Sequence, residues 1–382
     1  MQRPTRTIHT PHGDIQTPFF MPDATRASVR GLAREDVRAT GITEMVVNTY
    51  HLMLQPGMDV IRRVGGVHAL MGWERPLLSD SGGYQVYSLI HKNAQLGTIV
   101  EEGARFRSVV DGSQHLLTPE KSISIQADLG VDMMVVLDDP RPNTASYDDI
   151  AAAVERTIRW AARCRRAYAT QARVRGWTQE TRPKLFAVIQ GGPYAELRTR
   201  CAQGLVDVAQ RIDDGCGNTH WDGIGFGGRH IDAQGRLMED VLAQTAALIP
   251  ETSLAFALGI GTPEDIVRCV RMGWEMFDCV IPTREGRHGR AFMWTQDARE
   301  RIAQFLTTGT YTPFYNYVNV RTATHRTDMR ALHVPIYNGE ATYTYAYVHH
   351  LLRVNDPLGP AILARHNLAF YAQLMHTIRA TD

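Results

Sequence analysis

Cysteine is scarce in this chain: 5 in 382 residues, at Cys164, Cys201, Cys216, Cys269 and Cys279. An odd and dispersed set makes no disulfide framework and fits reduced thiols in a cytoplasm. No pair has C-x-x-C or histidine-rich ligand spacing, so the spacing suggests no structural zinc. Charge of one sign is also missing. A formal net charge of +1 excludes a globally basic nucleic-acid binder and leaves room only for a local basic patch. Apolar runs of bilayer length are absent, and the opening "MQRPTRTIHTPHGD" lacks the apolar core of a signal peptide. The expectation is a cytoplasmic protein with no membrane partner. Solenoid-period repeats and low-complexity linkers are missing too. What remains, 44% hydrophobic and 21% charged, is ordinary soluble composition, long enough for one large α/β domain or two smaller ones.

Eight short runs read as strands: "TPFFMP" (17–22), "EMVVNT" (44–49), "PLLSDS" (76–81), "DMMVVLD" (132–138), "KLFAVIQG" (184–191), "GIGFGG" (223–228), "LAFALGIG" (254–261) and "MFDCVIPT" (276–283). Most are nearly continuous apolar stretches, as in strands covered by helices on both faces. Helical patterns lie between them. "TPEKSISIQADLG" (118–130) has Thr118 as N-cap, Pro119 in the first turn and Gly130 as stop, and "TPEDIVRCVRMG" (262–273) repeats that arrangement. A longer amphipathic pattern covers 146–169. The alternation predicts an α/β fold, a (β/α)8 TIM barrel over residues 1–295, with an irregular insertion at about 90–117 between strands three and four. Residues 296–382 form a C-terminal subdomain that includes the helices closing the barrel.

In such barrels chemistry gathers at the C-terminal strand ends. Those ends carry Asp80–Ser81–Gly82–Gly83, Asp138–Asp139, Gln190–Gly191–Gly192, Gly227–Gly228, Leu258–Gly259 and Asp278. Polar groups accumulate at this one end and nowhere else along the strands. A strand-end acid commonly caps a helix, and a Gly-Gly pair is commonly a turn. Asp278 differs, because it sits inside the apolar run "MFDCVI", where an unpaired carboxylate is costly. Its plain alternative is a structural ion pair, for instance with Arg284.

Paired carboxylates suit glycosyl transfer, one attacking an anomeric carbon while the other moves protons at the leaving group. A third acid and the amide of Gln190 match the donor and acceptor edge of a purine. Tyr84 offers a flat face for stacking, and Arg284 and Arg287 suit the phosphates of a polynucleotide.

These residues lie in longer stretches, "NTYHLMLQPG" (48–57), "LLSDSGGYQVYSL" (77–89), "IQGG" (189–192), "GIGTPEDIV" (259–267) and "MFDCVIPTREGRHGRAF" (276–292). Together, and in this order, they resemble the tRNA-guanine transglycosylases over nearly the whole chain. The resemblance implies a modified (β/α)8 barrel that exchanges the wobble guanine of tRNA for a 7-deazaguanine in queuosine biosynthesis. It implies Asp278 as nucleophile, forming a covalent ribosyl-aspartate, and Asp80 as general acid/base. Ser81, Asp138, Gln190 and Gly228 fall at positions that read the base edge, Tyr84 and Leu258 at those that sandwich its ring. Arg284 and Arg287 match arginines that grip the anticodon nucleotides. The implied partners are tRNA and the base; a homodimer is left open.

Two departures stand out. Most relatives carry a C-x-C-x-x-C motif and a downstream histidine that bind zinc. Counted back from His366, those cysteine positions fall on Pro335, Tyr337 and Glu340. No zinc and no other cofactor are therefore expected, with His366 an ordinary packed or hydrogen-bonding residue. After strand six, Arg229, His230 and Ile231 replace the usual small and apolar residues, and Pro140 stands where bacterial relatives often have cysteine. An inward-facing Arg229 would repel an aminomethyl ammonium, so the 7-aminomethyl, 7-cyano and queuine bases all stay open, the aminomethyl form ranked first. Rival readings are the same chemistry on DNA or another tRNA site, a non-catalytic tRNA-binding partner subunit, and a barrel glycoside hydrolase.

Overall fold

In the computed structural model, which describes residues 2–336 and 339–381, eight parallel strands surround an apolar interior. They are β1 (Phe19–Pro22), β2 (Met45–Val47), β3 (Leu77–Ser79), β4 (Met133–Val135), β5 (Lys184–Ile189), β6 (Gly223–Phe226), β7 (Leu254–Ala257) and β8 (Met276–Cys279). Seven ladders run in the order β1-β8-β7-β6-β5-β4-β3-β2. The seam between β1 and β2 is held by one parallel bridge, Asp23 to Val46, where Ala24 N–H donates to the Val46 carbonyl at 2.7 Å. This is the expected α/β barrel.

Each strand is shorter than its run. At β8 "MFDCVIPT" stops at Cys279 and Ile281–Arg287 becomes a helix with Pro282 in its first turn. Proline suits that position because it lacks the N–H that the first turn leaves unbonded. Leu258 and Gly259 accordingly lie just past β7.

Helix Pro119–Leu129 is capped by Thr118, whose side chain accepts from Lys121 N–H, and Pro263–Met272 by Thr262 in the same way from Asp265. Gly130 and Gly273 end these helices with φ of 70° and 101°, in the left-handed region that glycine tolerates. The helix expected over 146–169 runs further, Tyr147–Arg175, because Gly176 rather than the polar "TQARVR" is the stop. The insertion is a three-stranded antiparallel sheet of Gly97–Val100, Gly103–Arg107 and Gln114–Leu117. Beyond the barrel, Arg290–Trp294 pairs with Tyr315–Asn319, Ala331–Ile336 pairs with Gly339–Thr344, and helix Leu358–Arg379 returns to the barrel core through Leu368, Tyr371, Leu374 and Ile378. The first of these hairpins joins residues on both sides of 295. Among the described residues no helix is long and apolar enough to cross a membrane.

Interior positions follow the two-residue period of strands. Phe19, Met21, Val46, Leu78, Met133, Val135, Phe186, Val188, Leu254, Phe256 and Met276 form one buried cluster, while Phe20, Val47, Leu77, Met134, Ala187 and Phe277 join the outer core against the helices.

One expectation fails here: the other end of the strands is not free of acids. Asp132, Asp222 and Glu275 directly precede β4, β6 and β8. Each accepts the N–H at the start of the preceding strand or of the residue after it: Leu77 to Asp132 at 2.9 Å, Leu185 to Asp222 at 2.8 Å, Ala255 to Glu275 at 3.0 Å. Each also meets cations or imidazoles. Arg182 pairs with Asp222 at 2.6 Å, Arg6 with Glu275 at 2.6 Å, and His12 with Asp132 at 2.8 Å. These acids are structural.

Candidate active site

Extending the interior period by one step past the last apolar residue gives Asp23 after Met21, Asn48 after Val46 and Asp80 after Leu78. It also gives Gln190 after Val188, Leu258 after Phe256 and Asp278 after Met276. The site is thus the next layer of the barrel interior, switched from apolar to polar at every one of these positions except Leu258. Among the described residues no cation forms an ion pair with Asp80, Asp138 or Asp278, so the ion pair weighed for Asp278 is not present. Arg284 approaches Glu285 instead, at 3.5 Å.

Asp278 accepts one hydrogen bond, from Gly259 N–H at 2.8 Å. Burial pushes its carboxyl up to about 7 despite that bond, and the nearby charge of Asp23 adds to the rise. Asp80 is held from three sides: Asn48 Nδ2 at 2.5 Å, Thr49 N–H at 3.0 Å and Gly82 N–H at 3.1 Å. Burial raises it to about 7 as well, with the charges of Asp23 and Asp278 contributing against the two amide bonds. Two carboxyls in mutual electrostatic reach, both titrating near neutrality, ionise one before the other.

Asp138 accepts from Gln190 Nε2 at 2.6 Å, and burial together with Asp139 lifts it to about 6. Its neighbour Asp139 is a structural acid paired with Arg141 and Arg156. Ser81 is buried and its Oγ accepts from Gly83 N–H at 3.2 Å. Tyr84 stands in the first turn of helix Gly83–Lys92 with its ring exposed. Leu258 packs on the interior cluster and lies over Gly225, where a β-carbon would come within 2.4 Å of its Cδ1. Gly228 follows β6 with φ of 96°. Arg284 and Arg287 lie on the helix after β8. Burial lowers the Arg287 guanidinium, and the charges of Arg30 and Arg284 lower it further.

Sequence reading missed Asp23, Asn48 and Thr49. The signal for Asp23 was present, since "FFMPD" ends in an acid two residues after an interior methionine, as "LLSD" and "MFD" end in theirs. Asn48 stood inside a quoted motif, but its double use, capping His51 N–H at 2.9 Å while orienting Asp80, depends on where β3 lies.

Residues 4–381 match the family described as queuine tRNA-ribosyltransferase. The chain belongs to that family. Relatives named queuine tRNA-ribosyltransferase include the protein of Zymomonas mobilis, 38% identical over 376 residues, covering 98% of this chain and 87% of the relative. That of Halothermothrix orenii is 37% identical over 374 residues, covering 97% and 88%. That of Idiomarina loihiensis is 37% identical over 369 residues, covering 96% and 87%. This family is one of enzymes, pentosyltransferases.

The resemblance implies a zinc at the positions of Pro335, Tyr337, Glu340 and His366. Pro335 offers no ligand atom, and Tyr337 lies outside the described residues. Glu340 faces His333 Nδ1 at 2.8 Å. His366 turns Nε2 to the Phe292 carbonyl at 2.8 Å and Nδ1 towards the His333 carbonyl at 3.4 Å. With both ring nitrogens facing acceptors, this donor set does not fit a zinc ion.

Proposed function

We propose that this family member exchanges the wobble guanine of tRNA for a 7-deazaguanine through a ribosyl ester on Asp278, and that it works in the cytoplasm. The observation that carries the reading is that Asp80, Asp138 and Asp278, buried acids at the barrel mouth, have no cationic partner among the described residues. Uncompensated buried acids with raised pKa values mark sites where chemistry needs them.

In the first half-reaction the Asp278 carboxylate attacks C1′ of the ribose. The C1′–N9 bond breaks, its electrons go to the leaving guanine, and the Asp80 carboxyl supplies the proton that neutralises the base. In the second, Asp80 takes the N9 proton of the incoming base, N9 attacks C1′, and the Asp278 carboxylate leaves. A carboxyl titrating near 7 suits Asp80 for giving and then taking a proton. The ester conserves the glycosidic bond, so the exchange is isoenergetic in kind and calls on no ATP. Asp138 accepts from ring N–H and exocyclic amine, while the second N–H of Gln190 and the Gly228 amide donate to the base carbonyl. Tyr84 and Leu258 enclose the ring, Ser81 lines the base edge, and Arg284 and Arg287 draw in phosphates. Extruding a nucleotide costs a few kcal/mol, least in a single-stranded loop such as an anticodon.

Arg229 supports keeping 7-aminomethyl-7-deazaguanine first. Its residue is exposed to solvent, with the backbone carbonyl accepting from Asn143 Nδ2 at 3.0 Å, and water around an exposed guanidinium weakens its repulsion of an ammonium. Labelled guanine incorporated into tRNA with a wobble guanine and not into DNA, and a denaturation-stable RNA adduct on Asp278, are the expected results. The aminomethyl base should compete best among the three 7-deazaguanines. Incorporation without any adduct, or into DNA alone, would overturn the mechanism or the substrate respectively. Chelation should leave melting unchanged, and one equivalent of tightly held zinc would refute the cofactor-free reading.

A further inference from the structure

Arg198 is fully buried on helix Ala195–Arg211, and among the described residues no carboxylate pairs with it. Its guanidinium is spent on three backbone carbonyls: Nε to Gly192 at 2.8 Å, Nη1 to Ile189 at 3.3 Å and Nη2 to Gly227 at 3.1 Å. It also lies 4.1 Å from the centroid of the Phe226 ring. Burial lowers this group to about 10, which is the mark of a cation kept at a cost. The Ile189 carbonyl ends β5, next to Gln190, and the Gly192 and Gly227 carbonyls belong to the loops after β5 and β6, the second of which carries Gly228.

A trans peptide unit is planar, with its C=O and the next N–H pointing in opposite directions. Fixing the Gly227 carbonyl on Arg198, outside the barrel wall, therefore turns the Gly228 N–H away from the helix and towards the mouth. The unit sits between two glycines, and Gly228 already has φ of 96°, so little in its own conformation opposes a flip. A flipped unit would present a carbonyl where a purine 6-carbonyl needs a donor. Resting on the function proposed above, we infer that Arg198 is a positioning residue that sets purine selectivity by locking the Gly227–Gly228 peptide with its N–H towards the base. The ligand class it selects is a purine bearing a 6-carbonyl over one bearing a 6-amine.

The test compares guanine with 2,6-diaminopurine as bases for exchange into tRNA, in wild type, R198Q and R198K. Wild type should prefer guanine strongly. R198Q should lose about tenfold or more of that preference, through KM for the free guanine base. R198K, keeping the charge but reaching fewer carbonyls, should fall between. An unchanged preference ratio in R198Q overturns the inference, whatever happens to its melting temperature. Should R198Q not fold, an unchanged ratio in R198K does the same. Failure of wild type to exchange any guanine would instead sink the underlying function, so the two failures are distinct.

Discussion

The two ends of this barrel use the same residue type in opposite ways. At the N-terminal end Asp132, Asp222 and Glu275 sit at alternate strand starts, each bonded to a neighbouring strand amide and to a cation or imidazole. Burial works against the Asp132 carboxylate, yet the bonds from His12, His68 and Leu77 N–H hold it well below the usual carboxylate range. At the C-terminal end Asp80, Asp138 and Asp278 receive amide hydrogen bonds but no counter-charge, and burial drives all three up. What separates the two sets of acids is not burial, which both have, but whether the fold supplies a cation or an imidazole. The cations at the C-terminal mouth, Arg284 and Arg287, stand on the helix after β8, and among the described residues neither forms an ion pair with these carboxyls.

The sharpest way to break this contrast is to neutralise one acid at each end. Asp278→Asn should abolish guanine exchange, by at least about 10⁴-fold, while raising the melting temperature, because an uncompensated buried charge is removed. A variant that keeps exchanging labelled guanine would end the nucleophile assignment. Asp80→Asn should slow both half-reactions by about 10²–10⁴-fold with tRNA still bound, measured by single-turnover exchange and filter binding. Asp222→Ala should do the reverse, costing about 3–5 kcal/mol in urea unfolding by stranding the buried Arg182, with kcat per folded molecule near wild type.

Titration sharpens the same point. The Asp278 carboxyl has its pKa raised from 3.8 to about 7, so its favourable contribution to folding is complete below 3.8 and lost as pH rises through about 7. The melting advantage of Asp278→Asn over wild type should therefore grow as pH rises from 3.8 to about 7. Asp132, lowered, has the opposite sign: its contribution is present above its ordinary 3.8 and disappears only in stronger acid. A flat difference across that range would contradict the raised Asp278. The smallest effect belongs to the mouth arginines. Arg287→Ala should weaken tRNA binding several-fold and reduce the slope of log affinity against log salt by about 0.7–0.9, with catalysis on bound tRNA little changed.

Much of this was readable before any coordinates. The barrel, its insertion, the two Thr-Pro capped helices and the acids Asp80, Asp138 and Asp278 follow from apolar runs, cap residues and strand-end position. Two features were not readable. The N-terminal acids went unrecognised, Asp132 even though it opens the fourth strand run, because their partners Arg182, His12 and Arg6 are between 40 and 269 residues away. Arg198 looked like one of several arginines on an amphipathic helix, and only packing shows that its donors meet two other loops.

Local pattern, then, determined which segments become strands and helices and which side chains face the interior, since a two-residue period and a capping residue act within a few positions. Whether a given acid is neutralised was decided by the closed barrel alone. Compensation is a distance between charges, and in this fold those distances are set by strands and helices that meet from remote parts of the chain.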